Sequence, residues 1–255
     1  MMLKRILIGA LILAALGGAT LFILDRTIFA PVEVNTGTPV APTLAVPTPA
    51  QPATSEASSA GEATPSPATT EASDAGSVLY RIDASQSEVR YEVGETIFRN
   101  NRFQTAIGRT KGVAGDVLVD FAQPANTQIG EIVIDVSQFT SDESRRDNYI
   151  RRTGLESSRY PYANFAPRAI EGLPAQVAVG DRVTFSISGD LTVKETTRPI
   201  TWSVTLTLEN GRLVGSASTE INMSDFGVGP LQLPMLATED LVKLFFDFVA
   251  MPVEG

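Results

Sequence analysis

Val183-Thr184-Phe185-Ser186-Ile187-Ser188-Gly189-Asp190-Leu191-Thr192-Val193-Lys194 alternates apolar and polar residues throughout, and after one short break Ile200-Thr201-Trp202-Ser203-Val204-Thr205-Leu206-Thr207-Leu208-Glu209 does so again. Period two sends successive side chains to opposite faces, so both stretches read as strands with one apolar and one polar face. That is the pattern of an antiparallel sheet wetted on one side. The Asn210-Gly211 pair is a two-residue hairpin turn that feeds a further strand over 213–223. Val242, Leu244, Phe246, Phe248 and Ala250 repeat the alternation near the C-terminus. Shorter runs predict strands near 78–83, 87–98, 112–122, 129–139 and 163–172, about eight in all. Only 142–152 reads as a helix, acidic where it starts and basic where it ends, as the helix dipole prefers.

Long strands sharing one apolar face must stack as a sandwich or close as a barrel, and a barrel of about eight either fills with side chains or holds one small ligand. The expected fold is all-β: a single antiparallel β-barrel of about eight strands with one short helix, over residues 77–255. Two other zones precede it. Ile6 to Leu24 is an uncharged apolar run of nineteen residues, about 28 Å as a helix and enough to cross a hydrocarbon core. Lys4 and Arg5 before it favour a cytoplasmic N-terminus with the rest exported. A cleaved signal peptide is the rival reading, with Gly17 and Ala19 as its small-residue site. We therefore expect a membrane anchor over 1–30 (transmembrane helix 6–24) and a single-pass location with the barrel domain extracytoplasmic. Residues 31–76 are rich in Pro, Ala, Thr and Ser, with no aromatic or basic side chain. Such a segment buries too little to offset chain entropy and is expected to be a disordered linker, either a tether with reach or a mere spacer.

Composition narrows the chemistry. The chain has no Cys and no His, which removes disulfides, thiol nucleophiles, Cys/His zinc sites and the Ser-His-Asp triad. Its net charge of −9 is the wrong sign for nucleic acid. An enzyme would have to work through carboxylates such as Asp135, Asp147 and Asp190, which fall on polar strand faces or the helix, where a solvated role explains them.

The order of motifs is similar to that of a known family. Ile134-Asp135-Val136-Ser137-Gln138-Phe139-Thr140 leads to Arg146-Asp147-Asn148-Tyr149-Ile150 and Tyr160-Pro161-Tyr162-Ala163-Asn164-Phe165. Gly189-Asp190-Leu191-Thr192-Val193, Thr197-Arg198-Pro199-Ile200-Thr201 and Ser224-Asp225-Phe226-Gly227-Val228 follow. From about Tyr80 to Ala250 this resembles the YceI-like family, lipocalin-like antiparallel barrels that bind polyisoprenoid lipids in an apolar tunnel. Three positions depart from it. Gln86 stands in Asp83-Ala84-Ser85-Gln86-Ser87 where members often have His, Leu155-Glu156 replaces an aromatic pair, and Met223 replaces an Arg.

The resemblance implies a lipid-binding barrel, and with the apolar run Ile6–Leu24 and the missing His and Cys the chain reads as a non-enzymatic, membrane-tethered binding protein. It would hold a polyisoprenoid or quinone-like lipid for storage, transport or stress protection, with no required cofactor, catalytic residue or metal. Partners would be the lipid, the membrane and, as a further candidate, a second copy of the chain. The candidate ligand contacts are Tyr91, Phe139, Phe185, Ile187, Leu191, Trp202, Val204, Phe226, Leu233, Met235, Phe246 and Phe248, with Arg146, Asp147 and Arg198 as a polar rim. Each inward aromatic reads equally as core filling, and Arg146 and Asp147 also read as groups that pin the helix to nearby backbone. The loop 226–236 carries six apolar residues between glycines and prolines, and reads as a tunnel lining or lid, a plug, or a membrane-facing lip. The alternative for the whole chain is a β-sandwich interaction or adhesion module displayed on a stalk, with a filled core.

Overall fold

The computed structural model describes residues 30–44 and 76–253. Thirteen strands follow in chain order: β1 (Ser77–Ile82), β2 (Glu88–Ile97), β3 (Arg102–Thr110), β4 (Val113–Ala114), β5 (Asp116–Asp120), β6 (Gln128–Ile129), β7 (Ile132–Asp135), β8 (Tyr162–Glu171), β9 (Arg182–Val193), β10 (Thr196–Glu209), β11 (Arg212–Asn222), β12 (Gln232–Leu233) and β13 (Leu236–Pro252). One short helix, α1 (Ser144–Tyr149), runs on into a wider π turn over Ile150–Gly154. All strands join one antiparallel sheet in the order β4-β7-β8-β9-β10-β11-β13-β1-β5-β6, with β2 and the short β12 also on β13 and β3 on β2. The sheet curls into a half-barrel of lipocalin-like form.

The alternation read from the sequence is the one that folds. Trp202 sits opposite Ile187 and Val204 opposite Phe185 across the β9–β10 ladder, and all four are buried together with Leu191 and Val193. Asn210 and Gly211 both take positive φ, at 50° and 74°, which matches the right-handed twist of the flanking strands. β13 is longer than its alternation suggested because it serves three long neighbours, besides the two-residue β12 at its start. One edge pairs with β11; the other pairs first with β2 and then, from Ala250, with β1.

The strand count is corrected from about eight to thirteen, because two runs divide and because β3 and the two-residue β12, within the loop 226–236, were not expected as strands. Runs expected as single strands are interrupted: 112–122 divides at Gly115, and 129–139 divides into β6, β7 and a 3₁₀ turn. β3 was absent from the expectation altogether. Its inward positions are Gln104, Ala106, Gly108 and Thr110, so it carries no row of large apolar residues for period two to reveal. Gly108 is required there, since a Cβ would stand 2.1 Å from the ring of Tyr91, which lies across it.

Part of the expected linker also differs from its reading. Residues 30–44 form an extended segment laid along the domain. Asn35 donates to Asp135 Oδ2 at 2.9 Å and to Ser137 Oγ at 3.1 Å, Gln138 donates to the Gly37 carbonyl, and Arg152 donates to the Ala30 carbonyl. Pro39 is buried against the domain. These specific polar contacts hold a segment whose composition alone gives it nothing to fold around. The rest of the expected linker, and the apolar run Ile6–Leu24, lie outside the described residues. Among the described residues, no helix is long and apolar enough to cross a membrane.

Candidate functional site: a divided apolar interior

The half-barrel does not pack solid. Its interior holds two cavities, one of about 500 Å³ toward α1 and one of about 140 Å³ toward the opposite end. The smaller is walled almost wholly by carbon; the larger is mostly apolar, with a group of charged and polar side chains in its wall. The larger falls within the 300–1,000 Å³ typical of small-molecule sites. Trp202, Val89 and Ile134 line both cavities, so they form the partition. The Trp202 ring stands edge-on to Phe165, with centroids 6.2 Å apart, and its indole N–H has no partner.

The expected ligand contacts divide between the two spaces. Tyr91, Phe139, Leu191, Trp202, Phe226, Leu233 and Met235 line the larger cavity. Phe185, Ile187, Trp202, Val204, Phe246 and Phe248 line the smaller one, where Phe246 and Phe248 lie tilted against each other at 5.3 Å. The 226–236 loop contributes Phe226, Val228, Leu231, Leu233, Met235 and Leu236 to the larger wall. Phe226 is deep in the core, and Met235 stands exposed.

The polar rim needs correction at two of three positions. Arg146 does line the larger cavity. Asp147 lines neither: it is buried under α1, where its carboxylate accepts from the Ser141 N–H at 3.0 Å and the Ser141 hydroxyl at 2.6 Å. This fixes the start of the helix, which Glu143 also caps by accepting from the Arg145 N–H. Arg198 is exposed and donates to the Asp225 carbonyl, steadying the Met223–Phe226 turn from outside. The carboxylates weighed for catalysis are likewise occupied. Asp135 is not solvated but buried, and it accepts from Ser137, Gln138 and Asn35. Asp190 pairs with Arg168.

The sequence reading missed the centre of the polar chemistry. Val89, Tyr91, Val93, Glu95 and Ile97 are the inward phase of β2, and all line the larger cavity. Glu95 is 1% exposed. It accepts from Gln104 Nε2 at 2.5 Å and from Arg146 Nη2 at 2.9 Å. The signal was present in the period: a carboxylate on the apolar phase of a strand is either paired or functional. Nearby, Tyr91 packs edge-on against Phe139 at 5.3 Å. Burial pushes its phenol well above the ordinary range, and the Asp147 carboxylate adds to the shift. Met223, which replaces the family's Arg, also lines this wall.

With no imidazole in the chain, little should titrate near neutrality. Asp142 beside Arg146, Asp83 bonded to Ser85 and Gln86, and Asp120 bonded to the Gln123 N–H and to Asn126 are each held below the usual carboxylate range. A depressed folded value contributes stability that is present above the unfolded value and is lost as pH falls through the folded one. The thermal midpoint should therefore stay level between about pH 8 and 5 and decline below about pH 4. A clear step in the melting temperature between pH 6 and 7 would contradict this.

Comparison with known proteins agrees with the geometry. The YceI-like domain model matches residues 80–250. The chain belongs to the YceI-like family. A UPF0312 protein of Pseudomonas putida (strain GB-1) is 29% identical over 131 residues, 48% of this chain and 64% of that protein, so the match spans less than two thirds of the relative. Two solved structures share the fold. Burkholderia cenocepacia BcnA is 23% identical with a TM-score of 0.53, covering 67% of this chain and 99% of BcnA. A polyisoprenoid binding domain from Saccharophagus degradans, implicated in plant cell wall breakdown, is 15% identical with a TM-score of 0.51, covering 69% and 99%. This YceI-like chain thus has the family fold, with the Glu95–Arg146 pair set into its larger cavity.

Proposed function

We propose that this YceI-like chain is a non-enzymatic lipid-binding protein, tethered to a membrane on its extracytoplasmic side, that holds one polyisoprenoid or similar amphipathic lipid. The larger cavity carries the reading: an apolar space of about 500 Å³ whose walls gain by covering a hydrocarbon chain at ~25 cal/mol per Å². The Saccharophagus degradans domain, described as polyisoprenoid-binding, supports the same ligand class. A sandwich module would instead need two stacked sheets with a filled core; the single curled sheet and its cavities favour the carrier.

The extended segment supports the tether. If Ile6–Leu24 crosses the bilayer, only residues 25–29 separate it from Ala30, whose carbonyl is held by Arg152 next to α1. Those residues span at most about 20 Å. The α1 end of the domain, where the larger cavity lies, would be held close to the membrane surface. The linker would then add little reach.

Native mass spectrometry of the full chain, released in mild detergent from the membranes in which it is made, tests the reading. A stoichiometric apolar adduct is expected, and extraction would identify it. A clean apo mass that stays apo after incubation with isoprenoid quinones and polyprenols would overturn the carrier assignment.

A further inference from the structure

The ion pair inside the larger cavity is incomplete. Glu95 uses only Oε1 for both of its bonds, and its Oε2 is buried with no partner. Arg146 uses Nη1 for Ser141 and Asp142 and Nη2 for Glu95, and its Nε is likewise buried and unpartnered. Both side chains are at least nine-tenths buried, at 1% and 9% exposed, and both line the cavity. Oε2 shares its carbon with the Glu95 oxygen in the 2.9 Å contact, and Nε shares its carbon with the Arg146 nitrogen in it. One acceptor and one donor therefore flank a single contact. Buried polar atoms are normally satisfied, and leaving them bare is costly.

We propose that Glu95 and Arg146 form a head-group site for an isoprenoid lipid ending in a hydroxyl, such as a polyprenol or a reduced quinol. The inference rests on the carrier reading above and names the chemistry that the carrier selects. A hydroxyl donates to Glu95 Oε2 and accepts from Arg146 Nε, so it completes both residues at once. An oxidised quinone carbonyl only accepts; it would satisfy Arg146 and leave the carboxylate oxygen bare. A phosphate ester brings negative charge directly against the Glu95 carboxylate; elsewhere on the wall Asp142 and Glu143 are balanced by Arg99 and Arg145, so the contact with Glu95 decides. Arg146 cannot compensate fully, because its charge is already shared between Glu95 and Asp142. Gln104 holds the carboxylate in place by donating to Oε1, which leaves Oε2 as the open lone-pair site.

The test compares three probes of equal isoprenoid length on the delipidated full chain in detergent: a polyprenol, its phosphate monoester and an oxidised isoprenoid quinone. The polyprenol should bind about 10-fold or more tighter than either competitor, the size of one hydrogen bond to a charged group. Glu95→Gln, which turns the acceptor into an amide that can donate, should erase that preference and improve quinone binding. Should Glu95→Gln fail to fold with Arg146 deprived of its buried partner, the double variant Glu95→Gln/Arg146→Met removes both charges together, and the loss of preference is read there. Equal affinities for the three probes, or a preference for phosphate or quinone, would overturn the head-group site while leaving the carrier reading intact. Failure of all three to bind would overturn both.

Discussion

Replacing Trp202 with alanine is expected to lower the stability of the chain by about 3–5 kcal/mol and, on the carrier reading proposed above, to extend the isoprenoid chain length that binds. The indole is 7% exposed and stands between spaces of about 500 and 140 Å³. It packs on Phe165 and faces Ile187 across the ladder. Truncation removes its transfer free energy and leaves a hole that cannot collapse, because Val89 and Ile134 are held by the backbone of separate strands. The hole would join the two cavities into one tunnel, so a lipid chain entering the larger one could run on to Phe246 and Phe248. Denaturant unfolding measures the first effect. Native mass spectrometry with a graded series of polyprenols measures the second. An unchanged length limit in a folded variant would show that Trp202 is core filling and not a partition.

Arg146→Ala is expected to cost about as much, some 3–5 kcal/mol, for an electrostatic reason. The loss of its bond to exposed Asp142 matters little, since such pairs are screened by solvent. The large term is Glu95, whose carboxylate would stay buried with Gln104 as its one remaining donor. Removing both charges should therefore cost less than removing the arginine alone, and a double-mutant cycle with Glu95→Gln should show strong coupling. Arg146→Lys keeps the charge but loses the planar fork that reaches Ser141, Asp142 and Glu95 together, so it should fall between wild type and alanine. Additive single effects would mean that the pair is not the unit described.

The polar groups were harder to read than the apolar ones because their meaning depends on what stands opposite them. Asp147 and Arg198 have the composition of a rim, yet one closes the first turn of α1 and the other ties down a turn from outside. Glu95 was legible only as a break in the apolar phase of β2, and its partner Arg146 is 51 positions away in sequence. Asn35 belongs to a stretch whose composition predicts disorder, but two hydrogen bonds to β7 and the turn after it hold it in place. Local composition contains no information about a long-range bond of that kind.

What the sequence determined by itself was the direction of each side chain. Period two in β9, β10 and β13 and the Asn210-Gly211 turn dictate antiparallel strands with an apolar face, because a strand has no other way to segregate carbon from water. What only the tertiary structure decided was whether those faces meet. Filling an interior depends on the summed volumes of side chains brought together from strands far apart in sequence. Here Ala106 on β3 presents little bulk to the same space that Leu191 and Val193 of β9 and Trp202 of β10 line. The curl of the sheet keeps that shortfall in one place, and it remains as a cavity with Glu95 and Arg146 in its wall.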